Sequence, residues 1–425
     1  MTTAADILDR CDELARHSSL PNGLIERVYL SPEHAAVNAL AAEWMTAAGL
    51  ATWQDAAGNQ CGRLEGATPG LPALLLGSHL DTVPAAGRYD GILGVLLAIA
   101  VAERLAQSGR PLPFALEVAA FGDEEGTRFG TTLLGSHALA GTWQNEWWGL
   151  LDANGVSLDA AYRAFGLDPA LIGEAARTPV ELIGYLEAHI EQGAVLDDAG
   201  LALGVVLSIA GARRFQVVIE GAARHSGTPW ALRRDALAGA SEVILAIERI
   251  AREADLIGTV GHLALFPDAV NVIPGRVEFS LDLRGEFDPQ RDRAWALIEQ
   301  TAEQICERRG LTLTSVQTHG APAAHCSPHL RAAVATGIRL AGGESSPTTL
   351  FSMAGHDAMA IAALTDIGML FVRCLGGVSH HPDESVTEAD VAVALDAFEA
   401  AVLALADQYD ADEMDSEYDA RAALR

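Results

Sequence analysis

The sequence predicts an α/β protein: a mostly parallel sheet with helices packed on it, interrupted by a smaller inserted α+β domain. Three observations carry this. At 425 residues the chain exceeds one ordinary core, so two domains are expected. Residues 71–122 read strand, helix, strand, a β-α-β unit that implies parallel pairing. From about residue 212 the order becomes strand, helix, strand, strand, helix, strand, which is ferredoxin-like.

"LPALLLG" (71–77) and "PFALEVAAFG" (113–122) are short continuous apolar runs of the kind that buried strands show. Between them, "GVLLAIAVAERLAQSG" reads as a helix ending near Gly109. "ELIGYLEAHIEQG" (181–193) is a third strand, with a period-two polar face at Glu187, His189 and Glu191. In the insert, "RRFQVVIEGAARHSG", "GTVGHLALFP", "GRVEFSLDLRG" and "LTLTSVQTHG" read as strands. "RRDALAGASEVILAIERIAREA" and "PQRDRAWALIEQTAEQICERRG" read as helices. After residue 323 the α/β style resumes through "TDIGMLFVRCLGG". The expected division is therefore 1–211 with 324–425, and 212–323 as the insert. The end, "DQYDADEMDSEYDARAALR", is acidic and weakly apolar, so 408–425 is expected to be a frayed tail.

Composition narrows the function. A formal charge of −29 argues against nucleic acid or an anionic membrane as partner, because phosphate binding needs clustered Lys and Arg. No apolar run reaches the roughly 18–20 residues that span a bilayer. The start, "MTTAADILDRCDELARH", lacks a basic-then-apolar signal pattern, and a cytoplasmic protein is expected. Cys11, Cys61, Cys306, Cys326 and Cys374 form no CxxC pair and suit a reducing compartment.

The polar residues concentrate at strand ends. In "GSHLDTVPAAGRYDG" (77–91), His79 and Asp81 lie two apart and face the same way. Asp81 can then hold one ring nitrogen of His79 while the other binds a metal. Asp90 stands at the start of a helix, as a ligand or as a cap for that helix. "FGDEEGTRFG" (121–130) places three acids together where a strand ends; a metal ion would make Glu125 a ligand and leave Glu124 to hold a water. The alternative there is an exposed acidic turn. "EAHIEQG" offers His189 and Gln192, "GGVSHHPDE" (376–384) a further His, and "FSMAGHDAMA" (351–360) a Gly-hinged turn into a helix. Three carboxylate or imidazole ligands make one open catalytic site. Five, with one shared Asp, make two, and ions about 3.5–4 Å apart polarise a carbonyl and activate water.

With these motifs in order, together with "HSGTPW", "NVIPG" and "DLR", the chain resembles the two-metal amidohydrolases that hydrolyse carbamoyl groups. These are the allantoate amidohydrolase and N-carbamoyl-L-amino-acid hydrolase family, within the aminoacylase- and dipeptidase-like metallopeptidases. The resemblance implies that His79, Asp90 and His189 bind one divalent ion and Asp90, Glu125 and His380 the other, with zinc or manganese expected. It implies Glu124 as general base, Asp81 orienting His79, and His225 stabilising the oxyanion, reaching into the site of a partner subunit. Asn271 and Arg284 would bind the substrate carboxylate, with Gln192 and the Gly355 backbone nearby. The insert would be a dimerisation or lid domain, and the protein a homodimer acting on a small ureido-carboxylate. Allantoate, converted to ureidoglycine, ammonia and CO2, is the first expectation, since "LIERVYLSPEH" resembles the allantoate enzymes. N-carbamoyl-L-amino acids or ureidopropionate-like compounds come second, and an aminopeptidase-type reaction behind them. A non-catalytic dimeric binding protein on the same fold is the remote alternative, disfavoured because all five ligands and Glu124 are present. The chain departs from the family's usual "HAGTTPM" in having "HSGTPW", which places Trp230 close to His225.

Overall fold

The computed structural model of the chain describes residues 1–342 and 345–422. Contacts divide the chain into two units, one made of Met1–Leu207 with the chain from His325 onward, the other of Ser208–Ala324.

The first unit is built on one large sheet. Its four central strands lie in the order Ala115–Phe121, Ala73–His79, Leu182–Ile190, Ile367–Val372 and are mutually parallel. Antiparallel strands flank them: Gln60–Leu64 and then Ala51–Gln54 on one side, Leu203–Ile209 on the other. The α/β class expected from the sequence holds, with parallel pairing at the centre of the sheet. The central strands are apolar runs buried along nearly their whole length, as strands covered on both faces must be.

Helix Ile92–Ser108 is the crossover between Ala73–His79 and Ala115–Phe121, and 12 of its 17 residues are buried. It is apolar all round because it is enclosed: the sheet lies on one side and helices Ala4–Leu14 and Glu388–Ala422 contribute to the same core. Gly94 lets the helix approach the sheet; a Cβ there would fall 2.0 Å from the Ala188 carbonyl oxygen.

Because the four central strands are parallel, their carboxyl ends share one edge. His79 is the last residue of its strand, Glu124 follows Phe121 closely, His189 is next to last in its strand, and His380 lies in the loop after Val372. This edge is where open α/β sheets bind ligands. The segment 408–425, expected to fray, is helical as far as Ala422, as the end of helix Glu388–Ala422; residues 423–425 lie outside the described residues. Acidic composition did not prevent the helix from continuing.

The second unit has the ferredoxin-like element order. Its sheet runs Leu263–Phe266, Arg276–Gly285, Gly211–Glu220, Thr312–Ala321, all antiparallel. The strand read at "GTVGHLALFP" is broken into Ile257–Thr259 and Leu263–Phe266, both paired with Arg276–Gly285. Burial alternates along Arg276–Gly285, and helices Ala236–Glu253 and Asp288–Arg309 share a core with the sheet's apolar face. A two-stranded ribbon, Arg224–His225 against Val272–Ile273, completes the unit. Among the described residues no helix is long and apolar enough to cross a membrane. All five cysteines are free and buried.

The close approach at Gly94 has a direct consequence. Gly94→Ala should push helix Ile92–Ser108 off the strand that carries His189, at a cost on the order of 3 kcal/mol. Urea unfolding should show a lowered midpoint; an unchanged midpoint would contradict the packing described.

Candidate metal and catalytic centre

His79 is 1% exposed. Its Nδ1 is bonded to the backbone carbonyl of Asp81 at 3.1 Å, which leaves Nε2 facing the strand edge. The Asp81 carboxylate lies 3.6 Å from that Nδ1 and is engaged elsewhere. Its two oxygens accept the backbone N–H groups of Glu124, at 3.0 Å, and Glu125, at 3.1 Å. The expectation that the Asp81 side chain holds the His79 ring is corrected: the main chain of Asp81 does so. The carboxylate reaches instead to the loop of the adjacent parallel strand and fixes the two glutamates.

Asp90 is not a helix cap. The N-cap of Ile92–Ser108 is Gly91, with no side-chain bond. The Asp90 carboxylate sits among three imidazoles. Its Oδ1 lies 3.2 Å from His189 Nε2 and 4.0 Å from His79 Nε2, and its Oδ2 lies 3.0 Å from His380 Nε2. Gly91 makes this approach possible: its φ is +72°, and a Cβ would fall 2.4 Å from His79 Nε2. Glu125 Oε1 is 3.3 Å from His380 Nε2, and Glu124 Oε2 is 4.0 Å from His79 Nε2.

The donor atoms of His79, Asp90 and His189 all lie within 4.8 Å of one another, and so do those of Asp90, Glu125 and His380. Two donors about 2.0–2.2 Å from one zinc-type ion stand up to roughly 4 Å apart, and the separations of 3.0–4.0 Å given above fall within that reach. Asp90 Oδ1 and His189 Nε2 are also buried and, apart from each other at 3.2 Å, have no hydrogen-bond partner, the condition expected of atoms that face an ion. Two further groups meet the same spacing, His79–Glu124–Glu125 and Glu187–His189–His356.

The electrostatics are those of a site lacking positive charge. Burial, reinforced by the charge of Glu125, holds the Glu124 carboxyl well above the usual range. Burial lifts Asp81 to about 6. For Asp90, burial works in the same direction but is outweighed by hydrogen bonds to His189 and His380, which hold it well below the usual range. Burial likewise opposes the charged form of His189, yet the hydrogen bond and charge of Asp90 take it up to about 9. Hydrogen bonds to Asp90 and Glu125 take His380 to about 10.

Several contributors carry no role in the sequence reading. Glu384 accepts the N–H groups of Tyr89, at 2.8 Å, and Asp90, at 3.2 Å. Ser379 Oγ lies 3.1 Å from Asp90 Oδ2 and 2.9 Å from Glu384 Oε2. Both residues stand in "GGVSHHPDE", but local spacing cannot tell that Glu384 reaches a loop almost 300 positions earlier. His356, in "AGHDAM", is fully buried, with its ring centroid 4.4 Å from that of His189. Gln192, expected at the substrate, donates to Asp90 Oδ2 at 2.9 Å and so sits on the ligand cluster. Gly355 adjoins Glu124; a Cβ on it would lie 3.7 Å from Glu124 Oε1.

The remaining expected residues belong to the second unit. His225 is exposed on the small ribbon, and Asn271 is beside it, its carbonyl accepting from Ser226 N–H at 2.9 Å. Arg284 is at the far end of strand Arg276–Gly285, eight steps of about 3.3 Å or ~26 Å past Arg276. There its guanidinium grips Asp282 with two contacts of 3.0 Å. Asn271 precedes strand Arg276–Gly285, and Arg284 stands near the other end of that strand.

Comparison with known proteins agrees with this picture. Residues 75–404 match the peptidase family M20/M25/M40. The N-carbamoyl-L-amino acid amidohydrolase of Geobacillus stearothermophilus is 42% identical over 386 residues, which cover 90% of this chain and 94% of that protein. The probable allantoate deiminase of Oryza sativa subsp. japonica is 40% identical over 417 residues, covering 90% and 84%. The crystal structure of a hydantoinase/carbamoylase family amidase from Burkholderia multivorans aligns with a TM-score of 0.87 at 29% identity, covering 95% of this chain and 98% of that one. With most of its length matched by one family and relatives this similar along nine-tenths of it, the chain belongs to the peptidase family M20/M25/M40.

Proposed function

We propose that the chain is a metal-dependent amidohydrolase that cleaves the carbon–nitrogen bond of a ureido group, with allantoate as substrate and ureidoglycine, ammonia and CO2 as products. The observation that carries this reading is the convergence of five metal-type donors around Asp90 with Glu124 at their edge. His79, Asp90 and His189 would hold one divalent ion, and Asp90, Glu125 and His380 a second. A donor set of imidazoles and carboxylates without thiolate suits zinc or manganese. When bound, the ions would polarise the ureido carbonyl and acidify a water molecule.

The chain's own residues do the rest. Glu124 takes a proton from the attacking water and delivers it to the leaving nitrogen. Glu124 is 8% exposed, and its carboxylate stands 4.0 Å from His79 Nε2, at the edge of the proposed ligands. Asp81 keeps Glu124 and Glu125 in place through their backbone N–H groups. Gln192 and the Gly355 backbone stand beside the cluster, where polar ends of a ureido-carboxylate would lie. His225 and Asn271, exposed on their ribbon, would serve the site of a second copy in a homodimer built on the insert, with His225 at the oxyanion. Arg284 would offer its planar fork to the substrate carboxylate in place of Asp282.

A second reading, N-carbamoyl-L-amino acids, is favoured by the name of the 42% identical relative. The first reading is favoured by the names of the 40% and 39% identical relatives, a probable allantoate deiminase and an allantoate deiminase, and not by "LIERVYLSPEH". Its Arg27 is fully buried and donates to the Leu80 and Leu14 carbonyls at 2.6 and 3.0 Å, so the segment is scaffold under the His79 loop. Ammonia release should be measured with added zinc or manganese on allantoate, N-carbamoyl-L-amino acids, 3-ureidopropionate and a dipeptide. Allantoate should be turned over fastest; inert allantoate beside a brisk carbamoyl amino acid replaces the first reading by the second.

Glu124→Gln should lower kcat by a factor of about 10²–10⁴ while the bound-metal content stays that of the wild type. Unchanged turnover would remove Glu124 from the mechanism.

Metal loading should be proton-coupled. His189 and His380, taken to about 9 and about 10 in the metal-free chain, are protonated at neutral pH and must lose those protons to bind an ion. Affinity should therefore rise with pH until those values are passed, and fall as pH is lowered. Calorimetric titration of the apo-protein with zinc in buffers of different ionisation enthalpy reads the proton release directly; a pH-independent affinity between pH 6 and 8 would contradict the ligand set.

A further inference from the structure

We infer that Glu187 is a positioning residue that clamps the turn around Gly355, His356 and Asp357 to the strand carrying His189. Its effect on turnover rests on the amidohydrolase reading; the clamp itself does not.

Glu187 is fully buried in the middle of the parallel sheet, two residues before His189 and on the same face. A carboxylate is costly there unless its oxygens are satisfied. Both are. Oε1 accepts from the Ser78 hydroxyl at 2.9 Å, and Oε2 accepts from the Ala358 N–H at 3.1 Å. Ser78 immediately precedes His79. Ala358 opens the short helix Ala358–Ile361, directly after His356 and Asp357. One side chain thus joins the strand of His79, the strand of His189 and the turn whose Gly355 stands against Glu124.

The competing account is a further metal site at Glu187, His189 and His356, whose donor atoms lie within 4.8 Å of one another. The ring of His189 argues against it. Its Nδ1 is bonded to the Ile190 carbonyl at 2.8 Å and its Nε2 faces Asp90 at 3.2 Å, so no nitrogen remains for a cation on the Glu187 side. His356 Nε2 is bonded to Ser352 Oγ at 2.7 Å and its Nδ1 is buried without a partner, so the case against a cation rests on the ring of His189. Glu187 therefore acts as an acceptor of two hydrogen bonds.

That distinction is testable because glutamine can do the same work. In Glu187→Gln, the amide oxygen accepts from Ala358 and the amide nitrogen donates to Ser78, whose hydroxyl rotates to receive it. Alanine reaches neither partner. Aspartate keeps the charge but is one methylene too short to span both.

The test combines hydrogen–deuterium exchange of the full-length, metal-loaded protein with steady-state kinetics. In Glu187→Ala and Glu187→Asp, amides in the peptide 353–360 should exchange at least tenfold faster than in the wild type. kcat/KM should fall at least tenfold, largely through KM, and bound metal should be unchanged. Glu187→Gln should stay within threefold of the wild type in both exchange and kinetics. If Glu187→Gln is as impaired as Glu187→Ala, or if metal is lost, the residue is a charge or a ligand and the clamp is wrong. Unaltered exchange in Glu187→Ala and Glu187→Asp also overturns it. Should Glu187→Ala fail to fold, Glu187→Asp and Glu187→Gln still decide. A wild type that hydrolyses no ureido compound removes the amidohydrolase reading, while the exchange pattern continues to judge the clamp.

Discussion

A dense group of buried carboxylates at the carboxyl ends of four parallel strands is the constraint around which the first unit is arranged. Asp81, Asp90, Asp123, Glu124, Glu187 and Asp357 are each 8% exposed or less. Taking so many acids out of water is unfavourable unless each finds a hydrogen-bond donor or a cation. Three of the carboxylates near the centre are tied to backbone rather than to the ligand atoms. Asp81 takes the N–H groups of Glu124 and Glu125, Glu384 those of Tyr89 and Asp90, and Glu187 that of Ala358. Each of these N–H groups belongs to a loop that carries or adjoins a proposed ligand or the base. Asp81 and Glu384 thus position the proposed ligands and base, the relation that outer carboxylates bear to metal ligands generally. What is left over is the negative charge around Asp90, shared among His79, His189 and His380, and a divalent cation is its natural complement.

The sheet supplies the rigidity that this arrangement needs. Parallel strands deliver their carboxyl ends to one line, so residues 79, 124, 189 and 380 become neighbours although they lie far apart in sequence. The helix Ile92–Ser108 adds Asp90 from the side, and two glycines set how near it comes. Gly94 brings the helix against the backbone at Ala188, and Gly91 keeps the space beside the His79 ring open. The ligand geometry is thus a result of helix-on-sheet packing as much as of the ligands themselves.

This explains which parts were legible in the sequence. The β-α-β unit and the insert's element order express short-range rules: apolar runs for buried strands, polar residues clustered where a strand stops. His79, Asp90, Glu125, His189 and His380 stood out as candidates because each sits within a few residues of such a boundary; their division into two ligand sets came from the family resemblance. Reach across the fold was not readable. Nothing in the spacing of His79 and Asp81 says that the carboxylate turns to the Glu124–Glu125 amides while the carbonyl takes the ring. Glu187 stood on a face that alternation marked as polar, yet it is buried, because a parallel strand covered on both sides hides its polar residues too. Asn271 and Arg284, which the resemblance joins on one carboxylate, are thirteen positions apart, and most of strand Arg276–Gly285 runs between them. The acidic end followed the helix already under way, a local propensity that composition alone does not reveal.

The loops at the strand edge also hold conformations that side chains do not choose on their own. Asp123, Gln192 and His380 have φ values of +66°, +54° and +55°, in the left-handed region. They stand in the loops after three of the four central strands. Each costs about 1 kcal/mol relative to a right-handed residue. A left-handed residue reverses the chain sharply, so the next residues fold back over the strand ends instead of running on into solvent. After Ala115–Phe121 that reversal at Asp123 presents Glu124 and Glu125. After Leu182–Ile190 it turns Gln192 onto the Asp90 carboxylate, and in the loop beyond Ile367–Val372 it brings His380 to the same group. Strain of this kind persists only where surrounding bonds over-determine the backbone, and it gathers at functional sites for that reason. At Asp123 the next two amides, those of Glu124 and Glu125, are held by the Asp81 carboxylate, so in that loop the burial of one acid and the shaping of the backbone are met by the same two bonds.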